Sequence, residues 1–371
     1  MMQNILVGAY SQNGIYTLQF RDGSLSLLNR SDTFENCSYL SYSSNHIYGI
    51  IEYSERDIYK NGALISMTPT LSNQYAFPIS GKGPCFILLD DIRNLLYIAN
   101  YGDGTLDVFL LDINGNIISS IYHKPYTSHS RIHHLAFSED KNMLFISDLG
   151  DNKIYAYQII FENQTLELKE LSYYAFPNGT SPRHLAIYQN HIYVITEDSC
   201  ELYHFTFSEN TGFHFVNSIS ILGNDRREND TGCAIKISQD GKFIYTSIRG
   251  KDCIYVFSST PEVNLIQTIS CFGKTPRDIQ FDIFENYLLC ANQNSGNISI
   301  FNRNQKTGLL QYNNSYHIDN PACMIPYEIL PESTTIFCPV IAFVILVKAY
   351  TASAISLCLV NSFNASISLY R

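Results

Sequence analysis

Five ionisable side chains stand at two recurrent points of a repeated pattern: His133, Arg183, Glu197, Arg249 and Arg277. An imidazole titrates near neutral pH and is the side chain best suited to take a proton from water there. Guanidiniums keep their charge and offer forked donors that match carboxylates, phosphates and developing oxyanions. A carboxylate among them can orient an imidazole or serve as the base itself. A His or Arg at a strand end is also a common capping or ion-pairing residue, and Arg277 has a carboxylate beside it in Asp278. What favours chemistry is the shared position of the five, which the repeat defines.

Seven segments share one pattern: ILVGAY (5–10), IYGIIE (47–52), LYIANY (96–101), LFISDL (144–149), IYVITE (192–197), IYTSIR (244–249) and LLCANQ (288–293). Their fifth residues are Ala9, Ile51, Asn100, Asp148, Thr196, Ile248 and Asn292, at spacings of 42, 49, 48, 48, 52 and 44. Each segment leads through a turn, in many cases rich in Gly, Asp or Asn, to an alternating strand such as LDVFLL or IYVFSS. Those turn residues supply positive φ and local side-chain bonds. Short strands with turn signals at regular spacing indicate an all-β repeat fold. A lone four-stranded sheet cannot bury both faces, whereas radial stacking does, so the expected fold is a seven-bladed β-propeller.

The first unit begins at its second strand. PACMIPYE (321–328) has first-strand character and follows the seventh unit, so it is expected to pair with the N-terminal blade and close the ring. Closure removes the exposed sheet edges that invite aggregation. The propeller is expected over residues 1–329. Residues 330–371 form an apolar C-terminal tail with an uninterrupted run of 12 apolar residues, IFCPVIAFVILV (336–347). That is short of the roughly 20 needed to cross a bilayer. The tail is expected to be an appendage; membrane contact through it is the alternative.

Equivalent positions in a ring share height and radius. Counting back fifteen residues from the fifth residue of a segment reaches the start of the first strand at Cys85, His133, Cys233 and Arg277. In the fifth unit the turn is two residues shorter, and thirteen back is Arg183. The residues just after the fifth positions include Glu52, Tyr101, Leu149, Glu197, Arg249 and Gln293. The five charged residues are therefore expected at one mouth of a central channel, with Arg131 and Asn100 joining Arg277 as substrate-binding residues. His133 and His134 are consecutive on a strand, so alternation sends them to opposite faces and they cannot chelate one ion. No other cluster has ligand spacing, and neither metal nor cofactor is expected. A Gly-x-Ser-x-Gly elbow, the mark of a serine-esterase route, is not among the motifs of this chain.

The formal charge is −10 and no basic tract stands out. Nucleic-acid binding, which rests on clustered Lys and Arg, is not expected. The ten cysteines are scattered without a Cys-x-x-Cys pair. This argues against zinc and fits a reducing compartment. The N-terminus, MMQNILVGAYS, has neither a charged leader nor a long apolar stretch, so a cytoplasmic location is expected.

The ordered set of segments resembles a known family, the seven-bladed lactonases that include propeller-type 6-phosphogluconolactonases and fungal carboxymuconate lactonizing enzymes. The likeness is carried by VGAYSQNGIYTL (7–18), GPCFILLDDIRNLLYIANYGDGTLDVF (83–109), HHLAFSEDKNMLFISDLGDNKIYAY (133–157), SPRHLAIYQNHIYVITE (181–197), IKISQDGKFIYTSIRGKDCIYVF (235–257) and GKTPRDIQFDIFENYLLCANQNSGNISIFNRNQKTGLL (273–310). It covers about residues 3–328. The Gly-His and Trp-Asp marks of WD repeats are absent. The resemblance implies hydrolysis of a sugar-acid lactone, foremost 6-phosphoglucono-δ-lactone of the pentose phosphate route, with His133, Arg183, Glu197 and Arg249 matching residues proposed for the family's active site. His133 would be the base, Glu197 its orienting partner or substitute, Arg183 or Arg249 the oxyanion donor, and Arg249 or Arg277 the phosphate ligand. Relatives carry His where Phe86 and Arg131 stand here and Glu where Ala234 stands, all expected near the mouth. A muconate-type lactone enzyme and a non-catalytic interaction platform are the alternatives.

Overall fold

The computed structural model describes residues 2–43, 45–53, 60–259 and 262–328. Among them 28 strands form seven four-stranded sheets, each antiparallel throughout. The second strands are Met2–Ala9, Ile47–Ile51, Leu95–Asn100, Met143–Asp148, His191–Thr196, Phe243–Arg249 and Tyr287–Asn292, in the order of the seven segments. Their first strands are Pro321–Tyr327, Cys37–Tyr42, Pro84–Asp90, Ile132–Phe137, Pro182–Tyr188, Thr231–Ile237 and Pro276–Phe281. These first strands neighbour one another all the way round, so they form the inner wall of a propeller. The closing strand is the one expected: Pro321–Tyr327 pairs antiparallel with Met2–Ala9. Residues 330–371, on which the tail and membrane expectations fall, lie outside the described residues. Among the described residues no helix is long and apolar enough to cross a membrane.

The core lies between blades rather than within one. Each of seven buried apolar clusters joins facing sheets of adjacent blades; one sets Tyr97 and Leu106 of the third blade against Leu144 and Ile146 of the fourth. Trp is absent from the chain. Tyrosines stand in these clusters instead. Tyr48, Tyr97, Tyr157 and Tyr245 are among the largest fully buried side chains. A buried phenol needs a partner, and Tyr48 and Tyr245 donate to the carbonyls of Gly115 and Gly308 at 2.6 and 2.7 Å.

One irregularity recurs in every blade. The pairing of first and second strands slips near the start of the first strand, where one blade after another carries an extra unpaired residue. These are β-bulges, which break the alternation of a strand and re-aim a side chain. In chain order from the N-terminal blade the bulged residues are Ala322, Ser38, Cys85, His133, Arg183, Cys233 and Arg277, with Ala234 sharing the sixth bulge.

Candidate active site

The bulges and the turns after the second strands share one end of the ring, because first and second strands are antiparallel. Bulges are tied to bulges across blades. Cys85 Sγ reaches the carbonyl of His133 at 3.4 Å, Arg183 Nη1 donates to the carbonyl of Cys233 at 2.7 Å, and Cys233 Sγ reaches that of Arg277 at 3.1 Å. Ser147 donates to the carbonyl of Arg183 at 2.6 Å. The cysteines thus act as compact weak donors that fix the backbone from which the charged side chains spring.

Glu197 sits between two guanidiniums. Its Oε2 lies 2.9 Å from Arg183 Nε and 2.9 Å from Arg249 Nη2. Arg183 is almost wholly buried, yet its Nη2 has no hydrogen-bond partner among the described residues. The Nε of Arg249 is buried without a partner, and its Nη1 has no hydrogen-bond partner among the described residues. Both arginines therefore keep donors that the protein does not use.

His133 is buried at 7% exposure, its ring 5.2 Å from His184 and edge-on to Tyr101 at 5.9 Å. Neither ring nitrogen has a hydrogen-bond partner among the described residues, and Nδ1 is fully buried. Burial, then the charges of Arg183 and Arg277, hold its pKa well below the ordinary imidazole value. These surroundings favour the neutral imidazole. Glu197 makes no bond to it; the carboxylate is committed to the arginines, contrary to the orienting role expected from sequence.

Arg277 completes the set from the seventh blade. Its Nη2 donates to Tyr10 Oη at 2.5 Å, its guanidinium lies over the Tyr10 ring at 4.7 Å, and Glu52 Oε2 is 4.0 Å from Nη2. Tyr10 donates in turn to Glu52. Asp278 is not its salt-bridge partner: beyond the bulge, Asp278 points one layer deeper and accepts from the Met324 amide at 2.9 Å. Tyr10 was missed from sequence, although it follows Ala9 as Glu197 follows Thr196.

The structure thus brings His133, Arg183, Glu197, Arg249 and Arg277 together, and leaves other expected residues elsewhere. Asn100 is fully buried within its blade, its amide donating to Thr105 Oγ1 at 3.0 Å and Asp107 Oδ2 at 2.8 Å. It is a staple of the turn and faces away from the mouth. Arg131 lies at the rim before the fourth bulge; its Nη1 donates to the Ser130 carbonyl at 2.6 Å, and no carboxylate pairs with it among the described residues. Phe86 and Ala234 are both buried rather than open to the mouth: Phe86 packs against His134 at 4.2 Å, and the Ala234 amide donates to Ser247 Oγ at 3.1 Å.

The alternation expected for His133 and His134 also fails. Both rings lie against His184, at 5.2 and 4.5 Å, because the bulge at His133 turns consecutive side chains towards the same side. His184 Nε2 lies 3.0 Å from Arg183 Nη1, which can only donate, so that nitrogen is the acceptor. No group of three or more His, Cys, Asp or Glu side chains is placed to hold a metal ion among the described residues.

The family model described as a seven-bladed β-propeller lactonase matches residues 4–326. The chain belongs to the seven-bladed lactonase family. A 6-phosphogluconolactonase of Bacillus subtilis (strain 168) is 31% identical over 246 residues, covering 62% of this chain and 69% of that protein. A 6-phosphogluconolactonase of Formosa agariphila is 29% identical over 334 residues, covering 83% of this chain and 94% of the relative. Among solved structures, a protein from Lactobacillus plantarum matches with a TM-score of 0.80 at 26% identity, covering 88% of this chain and all of that one. The mouth of this lactonase-family propeller sets Arg183, Arg249 and Arg277 against Glu52 and Glu197, with Arg131 at the rim. A local positive excess in a chain of net charge −10 is a focusing site for an anion.

Proposed function

We propose that this chain hydrolyses a phosphorylated sugar lactone, 6-phosphoglucono-δ-lactone, to the open acid, as an enzyme of the cytoplasm. The observation that carries the reading is one neutral imidazole set among three guanidiniums at a single mouth. The matches to two 6-phosphogluconolactonases support the substrate. The free cysteines of the described residues, eight in number, support a reducing compartment.

In this reading His133 takes a proton from a water whose oxygen attacks the lactone carbonyl carbon. The carbonyl oxygen gains the negative charge and is met by the unused donors of Arg183 and Arg249. When the carbonyl re-forms, the ring C–O bond breaks, and the imidazolium returns its proton to the leaving ring oxygen, which becomes a hydroxyl. The acid formed then loses its own proton to solvent. Glu197 is a positioning residue that holds the two guanidiniums in place. No step calls for a metal.

The test is a pH-stat assay on freshly generated phosphorylated lactone, with glucono-δ-lactone alongside and the spontaneous rate subtracted. Acid release well above the spontaneous rate, unchanged by chelator, is the expected result. A rate equal to the spontaneous one would reject the reading.

A further inference from the structure

The two carboxylates of the mouth treat their arginines differently. Glu197 touches both of its guanidiniums at 2.9 Å. Glu52 is held off its own at 4.0 Å, and the Tyr10 hydroxyl stands between them, accepting from Arg277 and donating to Glu52. Direction is fixed: Arg can only donate and an ionised carboxylate can only accept. The Nε and Nη1 of Arg277 have no partner among the described residues. Both side chains keep access to the mouth, at 20% exposure for Arg277 and 25% for Glu52. The Tyr10 ring is packed on two sides, beneath the guanidinium at 4.7 Å and against Tyr53 at 6.3 Å.

We infer that Tyr10 is a specificity-determining positioning residue: its hydroxyl keeps Glu52 from pairing directly with Arg277 and so preserves that guanidinium as the seat of the substrate's phosphate. The inference deepens the proposed function and rests on it for the identity of the anion. It also separates the arginines by task. Arg183 and Arg249 share one carboxylate by direct contact and suit a single developing negative charge. Arg277, its charge only distantly offset, suits a phosphate monoester that carries nearly two charges at neutral pH. The burial that pushes the Tyr10 phenol pKa up keeps this spacer neutral. Without the hydroxyl, nothing would hold Glu52 back, and a carboxylate in direct contact would compete with the phosphate for the same donors.

Tyr10→Phe, Glu52→Gln and the double variant test this, read by KM and kcat on phosphorylated and unphosphorylated gluconolactone and by calorimetric binding of 6-phosphogluconate. Tyr10→Phe should raise KM for the phosphorylated lactone about tenfold while changing that for the unphosphorylated one less than about twofold, the scale of a single charge-assisted hydrogen bond. Adding Glu52→Gln should restore most of the loss, because the competing charge is gone. A hydroxyl with a merely structural role would not be rescued by removing its acceptor. Equal effects on both lactones, or no rescue in the double variant, would overturn the inference. If the wild type hydrolyses neither lactone, the lactonase reading fails separately. The binding of 6-phosphogluconate then decides this inference: weakening in Tyr10→Phe with recovery in the double variant supports it, and equal binding by all four proteins rejects it.

Discussion

Replacing Glu197 by Gln removes one charge and almost no volume, and it leaves Arg183 and Arg249 without their shared counter-ion. The side chains of Arg183, Glu197 and Arg249 are 3, 23 and 19% exposed, so the pairs are mostly shielded but not dry. A pair at 4 Å in surroundings of effective dielectric near 20 is worth about 4 kcal/mol. Breaking a buried pair by deleting one partner costs about 3–5 kcal/mol. Some solvent reaches Glu197 and the amide still accepts one hydrogen bond, so the low end applies, about 3 kcal/mol. For a propeller of this size that is a fall in Tm of roughly 5 °C or somewhat more. The freed guanidiniums should then accept a solution anion in place of the carboxylate. A ligand at a hundred times its Kd returns about 2.7 kcal/mol. Thermal unfolding of wild type and Glu197→Gln, with and without inorganic phosphate, reads both effects. A variant that melts with the wild type, or that phosphate stabilises no more than the wild type, would refute the claim that Glu197 holds these arginines together.

His133→Ala should lower kcat on the phosphorylated lactone by about a hundred- to ten-thousand-fold, the usual worth of a positioned base. Because burial and the neighbouring arginines hold the His133 pKa well below 6.5, kcat/KM should stay flat from pH 8 to 6 and fall only in more acid solution; an inflection at or above 6.5 would contradict the assignment. Stability should follow a related course. His133, His134 and His184 are all held well below the ordinary value, chiefly by burial. Below pH 6.5 the unfolded chain binds protons at these rings that the folded chain refuses. The stability conferred by their burial as neutral rings is therefore complete above 6.5 and lost as pH drops, by about 1.4 kcal/mol per pH unit for each ring. Urea midpoints at pH 7 and pH 5 measure this, and equal midpoints would exclude it. His204, lowered to about 4 chiefly by burial, adds to the loss, while Asp278 and Glu285, both raised by burial, work against it; four rings outnumber two carboxyls and a net loss is expected.

The seven blades, their strands and the closing strand could be read from the chain because strand periodicity and repeat spacing both survive in one dimension. The convergence of His133, Arg183, Glu197, Arg249 and Arg277 could be read for the same reason, since equal position in a repeat fixes radius and height. The bulge could not. It recurs in the blades, so it leaves the fifteen-residue count between Arg277 and Asn292 intact while breaking the alternation that governs the facing of His134, Phe86 and Ala234. Asn100 departs from expectation because a fifth-position residue turns into its own blade, as Asn292 also does in bonding the Cys271 carbonyl and Ser299. Tyr10 stands after Ala9 where Glu197 stands after Thr196, so the repeat marks its position but not its role. Its meaning depends on Arg277, 267 positions away, and only three-dimensional proximity reports that.

That long reach has a consequence for biosynthesis. Among the described strands Pro321–Tyr327 is made after all the others, yet its partner, Met2–Ala9, is made before them. Until it arrives, the N-terminal blade lacks its inner strand, which lies beside Pro276–Phe281, the strand that carries Arg277. A polypeptide stopped short of that strand is therefore an open ring. Closure of the ring is one late event, and until it happens the N-terminal blade carries an open sheet edge.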